Sequence, residues 1–221
     1  MLFRSLAECV PSDDRLWVND FKSFVDGTLG SRTARMLEPY ADQPGERGML
    51  MEEAARGTLR EWAKTVIDAG FSPSMHAIGD EALRVALDAV EPIDPERIAR
   101  FEHAQTIHPA DLPRLRGRLV SMQPHHRTFD RHSVMARLGA GRLERFFPFR
   151  QAWDAGAMLG FGSDWPIVDL DPRKGMHEAI HGAGGPGGAA GDERLLEHEA
   201  MAAYTTQAWK LLRAGAMVEV P

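Results

Sequence analysis

Short apolar runs alternate with amphipathic stretches along this chain, at spacings of about 25–40 residues, and that alternation restricts the fold more than any single motif. The runs "LWVNDFKSFVDG", "FSPSMHAIG", "RIARFEHAQ", "RLVSMQP" and "AMLGFGSDWP" read as five strands; in the first, Trp17, Phe21, Phe24 and Val25 supply β-formers. Between them, "MLMEEAARGTLREWAKTVIDAG" predicts one helix stopped by Gly70, and a second helix runs from Asp80 to about Val90. "HPADLPRLRG" predicts a helix opened by Pro109 and closed by Gly117. "ERFFPFRQAWDAG" is helical, and a long helix from about Glu197 to Ala214 follows the last strand. Successive βα units build a largely parallel sheet, and in such sheets the chemistry gathers at the carboxyl ends of the strands.

The polar residues at those ends form a pattern. Lys22 lies in the first strand, His76 ends the second and His103 the third, Gln123 and His126 follow the fourth, and Asp164 ends the fifth. A single strand-end histidine is ordinarily a hydrogen-bonded scaffold residue. Two histidines, an aspartate and a lysine on successive parallel strands instead converge on one point, with the nitrogen and oxygen donors that a borderline divalent metal such as zinc takes. An ammonium beside a cation would be repelled. Lys22 fits if it is deprotonated and carboxylated by carbon dioxide, because the carbamate then bridges metals as a carboxylate does.

On these residues the sequence resembles the amidohydrolase superfamily. "FKSFVDGTLGSRTARMLEPYADQPGERG", "MHAIGD", "FEHAQ", "SMQPHH" and "GFGSDWP" are similar, in order, to successive motifs of its amidohydrolase-3 (YtcJ-like) group. The resemblance implies a distorted (β/α)8 TIM-type barrel with one or two metal ions at the strand ends. By motif, Lys22 is the carboxylated lysine of the fourth strand, and His76 and His103 are the metal-binding histidines of the fifth and sixth. Asp164 is then both the eighth-strand metal ligand and the proton-transferring catalytic residue, and His126 is a substrate-binding residue. The implied reaction is attack of metal-activated hydroxide on an amide-type carbonyl of a small molecule, with Asp164 as general base and then proton donor.

The chain departs from that pattern in two respects. No His-x-His pair is present for the family's first strand, and the adjacent His125 and His126, if extended, would point in opposite directions. Strands one to three have no counterpart before Trp17. The expectation is therefore a lead-in over 1–16 and, over 17–221, a partial barrel of about strands four to eight. Its open edges would favour self-association, or a second chain supplying the missing strands. An inactive barrel acting only as a scaffold or interaction module is the non-enzymatic alternative.

Other readings are weaker on physical grounds. "GMHEAIHGAGG" holds the zinc-protease pattern His177-Glu178-x-x-His181, but the helix there can be only about three turns long and runs straight into a glycine-rich loop, which positions a third ligand badly. "GAGGPG", from Gly182, fits Gly-x-Gly-x-x-Gly after a helix rather than a strand and contains Pro186, outside the context of a dinucleotide fingerprint. "GFGSDWP" lacks the glycine that a nucleophile elbow needs two residues after its serine. Asp26 and Arg32 follow the first strand and could either touch substrate or form a structural ion pair. The formal charge of −6 comes without a basic stripe, which argues against nucleic acid, and no apolar run nears the roughly 20 residues of a membrane span. Cys9 is the only cysteine, so no intrachain disulfide can form. With no evident signal peptide in "MLFRSLAECVPSDDRLW", a cytoplasmic location is expected.

Overall fold

The computed structural model describes residues 18–182 and 193–213. Five strands, β1 (Asp20–Phe24), β2 (Ser72–Ala77), β3 (Arg100–His103), β4 (Leu119–Met122) and β5 (Met158–Phe161), form one sheet in chain order with every pairing parallel. Parallel neighbours in sequence order, each joined by a helical crossover, are the wall of a barrel. Among the described residues β1 pairs only with β2 and β5 only with β4, so both edges are open.

The crossovers carry α1 (Glu52–Arg56), α2 (Leu59–Asp68), α3 (Asp80–Val90), α4 (Pro124–Leu138) and α5 (Phe149–Asp154), with 3-10 turns at Pro109–Leu115 and Ala140–Arg145. After β5 come α6 (Pro172–His181), α7 (Glu197–Tyr204) and α8 (Thr206–Arg213). Three helical expectations need correction. The single helix expected before Gly70 is broken at Gly57, whose left-handed φ of 74° ends α1. The long C-terminal helix divides at Thr205 (φ −124°, ψ −90°). The stretch after β4 is not extended but a 15-residue helix with Pro124 in its first turn, so the alternation argument applied to His125 and His126 does not hold there.

Strand alternation sorts the side chains onto two faces. Met75, Phe101, Val120 and Leu159 point outward and are fully buried, in one core with Leu83 and Leu87 of α3 and Phe149 of α5. The opposite face carries two rows in register, Lys22–Ser74–Arg100–Leu119–Met158 and Phe24–His76–Glu102–Ser121–Gly160. That face is polar for a barrel interior: Glu102 accepts from Ser74 and Arg100, and Arg100 also pairs with Asp20 at 3.2 Å. α8 lies over β4 and β5 on this side. Leu211 occupies the space beside Gly160, and Arg100 donates to the Leu211 carbonyl.

Among the described residues no helix is long and apolar enough to cross a membrane. Cys9 and most of the glycine-rich stretch after Gly182 lie outside the described residues.

Candidate metal centre

The strand ends open into one cavity of about 440 Å³. Lys22, His76, His103, His126 and Asp164 all line it. His103, His126 and Asp164 offer donor atoms that lie within 4.8 Å of one another, close enough to share one ion. Backbone strain delivers two of the three. His103 would face the outer core by simple alternation, but φ values of 72° at His103 and 41° at Ala104 turn the strand end over. Asp164 has φ 53°, and its carboxylate stands exposed at the cavity. His126 arrives from the first turn of α4.

The surroundings suit metal ligation. His103 Nδ1 donates to Gln123 Oε1 at 2.9 Å, which fixes the ring and leaves Nε2 as the free donor atom. His126 Nε2 donates to the Ser163 carbonyl at 3.2 Å. Burial holds His103 well below the usual histidine range, and the neighbouring His76 ring adds to the effect; burial also lowers His126 and His76. Neutral imidazoles are what a cation requires.

The expected ligand set differs from this trio in its members. His76 packs its ring edge-on to His103, centroids 4.5 Å apart, and its Nε2 donates to the Gly27 carbonyl at 3.0 Å, which leaves its Nδ1 free just as the Ser163 bond leaves that of His126. Lys22 is exposed, with its ammonium 5.1 Å from the centroid of the Phe24 ring. Alternation puts Lys22 on the inner face of the edge strand β1, which accounts for its exposure.

Neither Asp26 nor Arg32 reaches the cavity. Asp26 is completely buried and accepts from three backbone amides, Ile78 at 3.0 Å, Gly79 at 2.8 Å and Arg35 at 2.8 Å. Burial still pushes its carboxyl up to about 7 against those three bonds. The Asp26–Arg32 ion pair does not form: Arg32 makes a two-pronged pair with Asp42, at 3.1 and 2.8 Å.

The His177-Glu178-x-x-His181 segment is helical, in α6, with both rings exposed and their centroids 4.6 Å apart. Glu178 leaves a buried carboxylate oxygen without a partner, and among the described residues no third donor groups with these histidines as one does at His103, His126 and Asp164. Gln105, Phe129 and Asp130 also line the main cavity and were not among the residues singled out by sequence; the one available signal was the four-residue spacing from His126 to Asp130, which becomes informative once a helix is placed there.

Comparison with known proteins bears on the family. A sequence profile of the amidohydrolase family matches residues 2–216. The chain belongs to the amidohydrolase family. Its amidohydrolase relatives include the putative amidohydrolase YtcJ of Bacillus subtilis (strain 168), 33% identical over 193 residues, which covers 83% of this chain and 36% of that protein. Protein LONG AFTER FAR-RED 3 of Arabidopsis thaliana is 33% identical over 174 residues, 75% of this chain and 29% of that protein. Among solved structures, an uncharacterized metal-dependent hydrolase from Pyrococcus horikoshii OT3 superimposes with a TM-score of 0.86 at 30% identity, covering 96% of this chain and 45% of that one. A second uncharacterized metal-dependent hydrolase, from Pyrococcus furiosus, gives 0.81 at 31% identity, covering 92% and 42%. The chain thus spans about a third of the length of these two curated relatives, and its sheet is part of a TIM-type barrel.

Proposed function

We propose that this chain is the fourth-to-eighth-strand portion of a metal-dependent hydrolase that cleaves non-peptide carbon–nitrogen bonds of small molecules, with zinc the ion best suited to its donors. The observation that carries the reading is the convergence of His103, His126 and Asp164 donor atoms within 4.8 Å at the strand ends of a cavity. Two neutral imidazoles and one carboxylate are a common donor set for a catalytic zinc ion with an open position. When bound, such an ion supplies a positive charge that polarises a carbonyl and acidifies water near neutral pH.

The protein's own groups supply the rest. Gln123 holds the His103 ring in one orientation. Asp164, exposed to the cavity, takes a proton from the attacking water and returns it to the leaving nitrogen. His126 and the cavity walls seat the scissile group. Lys22, as a carbamate, would add an anionic donor on the same inner face, where His76, opposite Phe24 in the β1–β2 pairing, stands diagonal to it and beside His103.

The test is bound metal per chain, by elemental analysis after purification with and without bicarbonate and with no chelator. His103→Ala and Asp164→Asn are each expected to lower metal content by about tenfold or more, with the circular dichroism spectrum unchanged. Lys22→Ala should remove any dependence on bicarbonate. Folded wild-type protein that takes up no metal would refute the reading and leave an inactive scaffold in its place.

A further inference from the structure

One acidic side chain in the cavity has no role in holding the ion. Asp130 sits on α4 one turn beyond His126, on the same helix face, and lines the cavity. Its Oδ2 accepts from Gln105 Nε2 at 2.5 Å. Oδ1 has no hydrogen bond among the described residues and is not sealed from the cavity by burial. Among the described residues no lysine, arginine or histidine forms an ion pair with Asp130. Lys22, the lysine of this cavity, rests over Phe24 instead. A half-buried carboxylate with one oxygen unsatisfied and no ion-pair partner is costly, and burial raises its pKa against the opposing pull of the Gln105 hydrogen bond and of His126.

The walls beside it are apolar. Phe129 precedes Asp130 in the chain and lines the same cavity with 65% of its surface exposed; Trp165 and Ile167, from the turn after β5, are 64% and 54% exposed. Large side chains left uncovered around a cavity mouth suit an apolar ligand body, and an aromatic face beside a carboxylate favours a cation.

We propose that Asp130 is the specificity-determining residue of this site, selecting substrates that carry a protonated amine next to an apolar or aromatic group. The ammonium donates to Asp130 Oδ1, Gln105 holds the other carboxylate oxygen, and Phe129 and Trp165 flank the apolar part. The ligand's carbonyl end is thereby directed toward His103 and Asp164. The word "substrate" rests on the hydrolase reading above; the binding preference does not.

Isothermal titration calorimetry on the full chain, zinc-saturated and again without metal, tests this with two probes of one shape: 2-phenylethylammonium and neutral 2-phenylethanol. Wild type should bind the ammonium about tenfold tighter than the alcohol, the scale of one hydrogen bond to a charged partner. Asp130→Asn should bring the two probes to similar affinity, and Asp130→Glu should restore the preference. Equal binding by wild type, or a preference that survives Asp130→Asn, overturns the proposal.

Esterification of wild-type carboxylates with a stabilised diazo reagent, which does not consume amines, read by peptide mass spectrometry, needs no variant. The ammonium probe should protect Asp130 and the alcohol should not. Protection of Asp164 alone would place the cation elsewhere and overturn the assignment. Because both experiments read equilibrium binding, a chain that hydrolyses nothing can still pass them, and a failure here leaves the metal result untouched.

Discussion

Asp26, which its position after a strand left open to substrate contact or to a structural ion pair, is bonded instead to the backbone around the site. Its two oxygens take the amide protons of Ile78, Gly79 and Arg35, so a single carboxylate joins the end of β1, the turn after β2 and the long β1–α1 loop. His76 lies between these segments, with its Nε2 3.7 Å from Asp26 Oδ1. Asp26→Asn keeps the shape but turns one acceptor into a donor facing backbone amides that have no other partner. A buried group left unsatisfied costs about 1–3 kcal/mol, so a loss of about 2 kcal/mol or more is expected, read as a lower urea midpoint at unchanged slope. Loss of metal without loss of stability would instead mean that Asp26 acts through His76 alone. The sequence could nominate Asp26 because it follows a strand, but strand-end position does not distinguish a carboxylate aimed at a cavity from one aimed at the backbone.

Elements differed in how clearly they could be read. The five strands were legible because each is a short apolar run bounded by turns, and α3 was legible because Leu83, Ala86, Leu87 and Val90 repeat at helical spacing and are buried. α4 gave no such signal. Of its fifteen residues the buried ones are Pro124, His126, Arg127, Val134 and Leu138, two of them histidine or arginine, so no apolar stripe marks it. Missing that helix also concealed Phe129 and Asp130, whereas His126 was reached through its motif, as a substrate-binding residue. The breaks at Gly57 and Thr205 were hidden for another reason: an isolated glycine or threonine costs a helix little, and tertiary packing decides whether it stops there. Packing also fixes Gly175, inside α6, where a Cβ would stand 1.7 Å from Tyr204 Oη. Alanine is favoured over glycine in helices by about 1 kcal/mol, whereas forced overpacking costs about 1–3 kcal/mol. Tyr204 is held by its edge-on contact with Phe161, centroids 5.5 Å apart, so the clash should prevail. Gly175→Ala is expected to destabilise by about 1 kcal/mol in urea unfolding; a gain in stability would show that the Tyr204 ring moves aside freely.

At the scale of the whole molecule, the candidate ligands come from segments far apart in sequence, and their convergence ties metal binding to folding. His103 ends β3, His126 opens α4 and Asp164 follows β5, so the unfolded chain has no preformed site and an ion bound by these three stabilises only the folded state. Stabilisation then grows with free metal, to about 2.7 kcal/mol at a hundredfold excess over the dissociation constant. For a chain of this size each kcal/mol moves the melting temperature by about 2–4 °C, so adding zinc to chelator-stripped protein should raise it by about 5–10 °C in a concentration-dependent way. Protons compete weakly for the folded site. Burial lowers the pKa of His103 and of His126, so both stay neutral in the folded protein when pH falls somewhat below the ordinary histidine value, while histidines of the unfolded chain begin to charge. The zinc-induced shift should therefore persist at pH 6, although the metal-free protein loses the contribution of these groups as the pH falls through that range. Differential scanning calorimetry of wild type and His103→Ala at both pH values checks the argument. An equal shift in the variant would place the ion outside the strand ends, with the exposed His177–His181 pair on α6 the alternative chelate to examine by the same measurement.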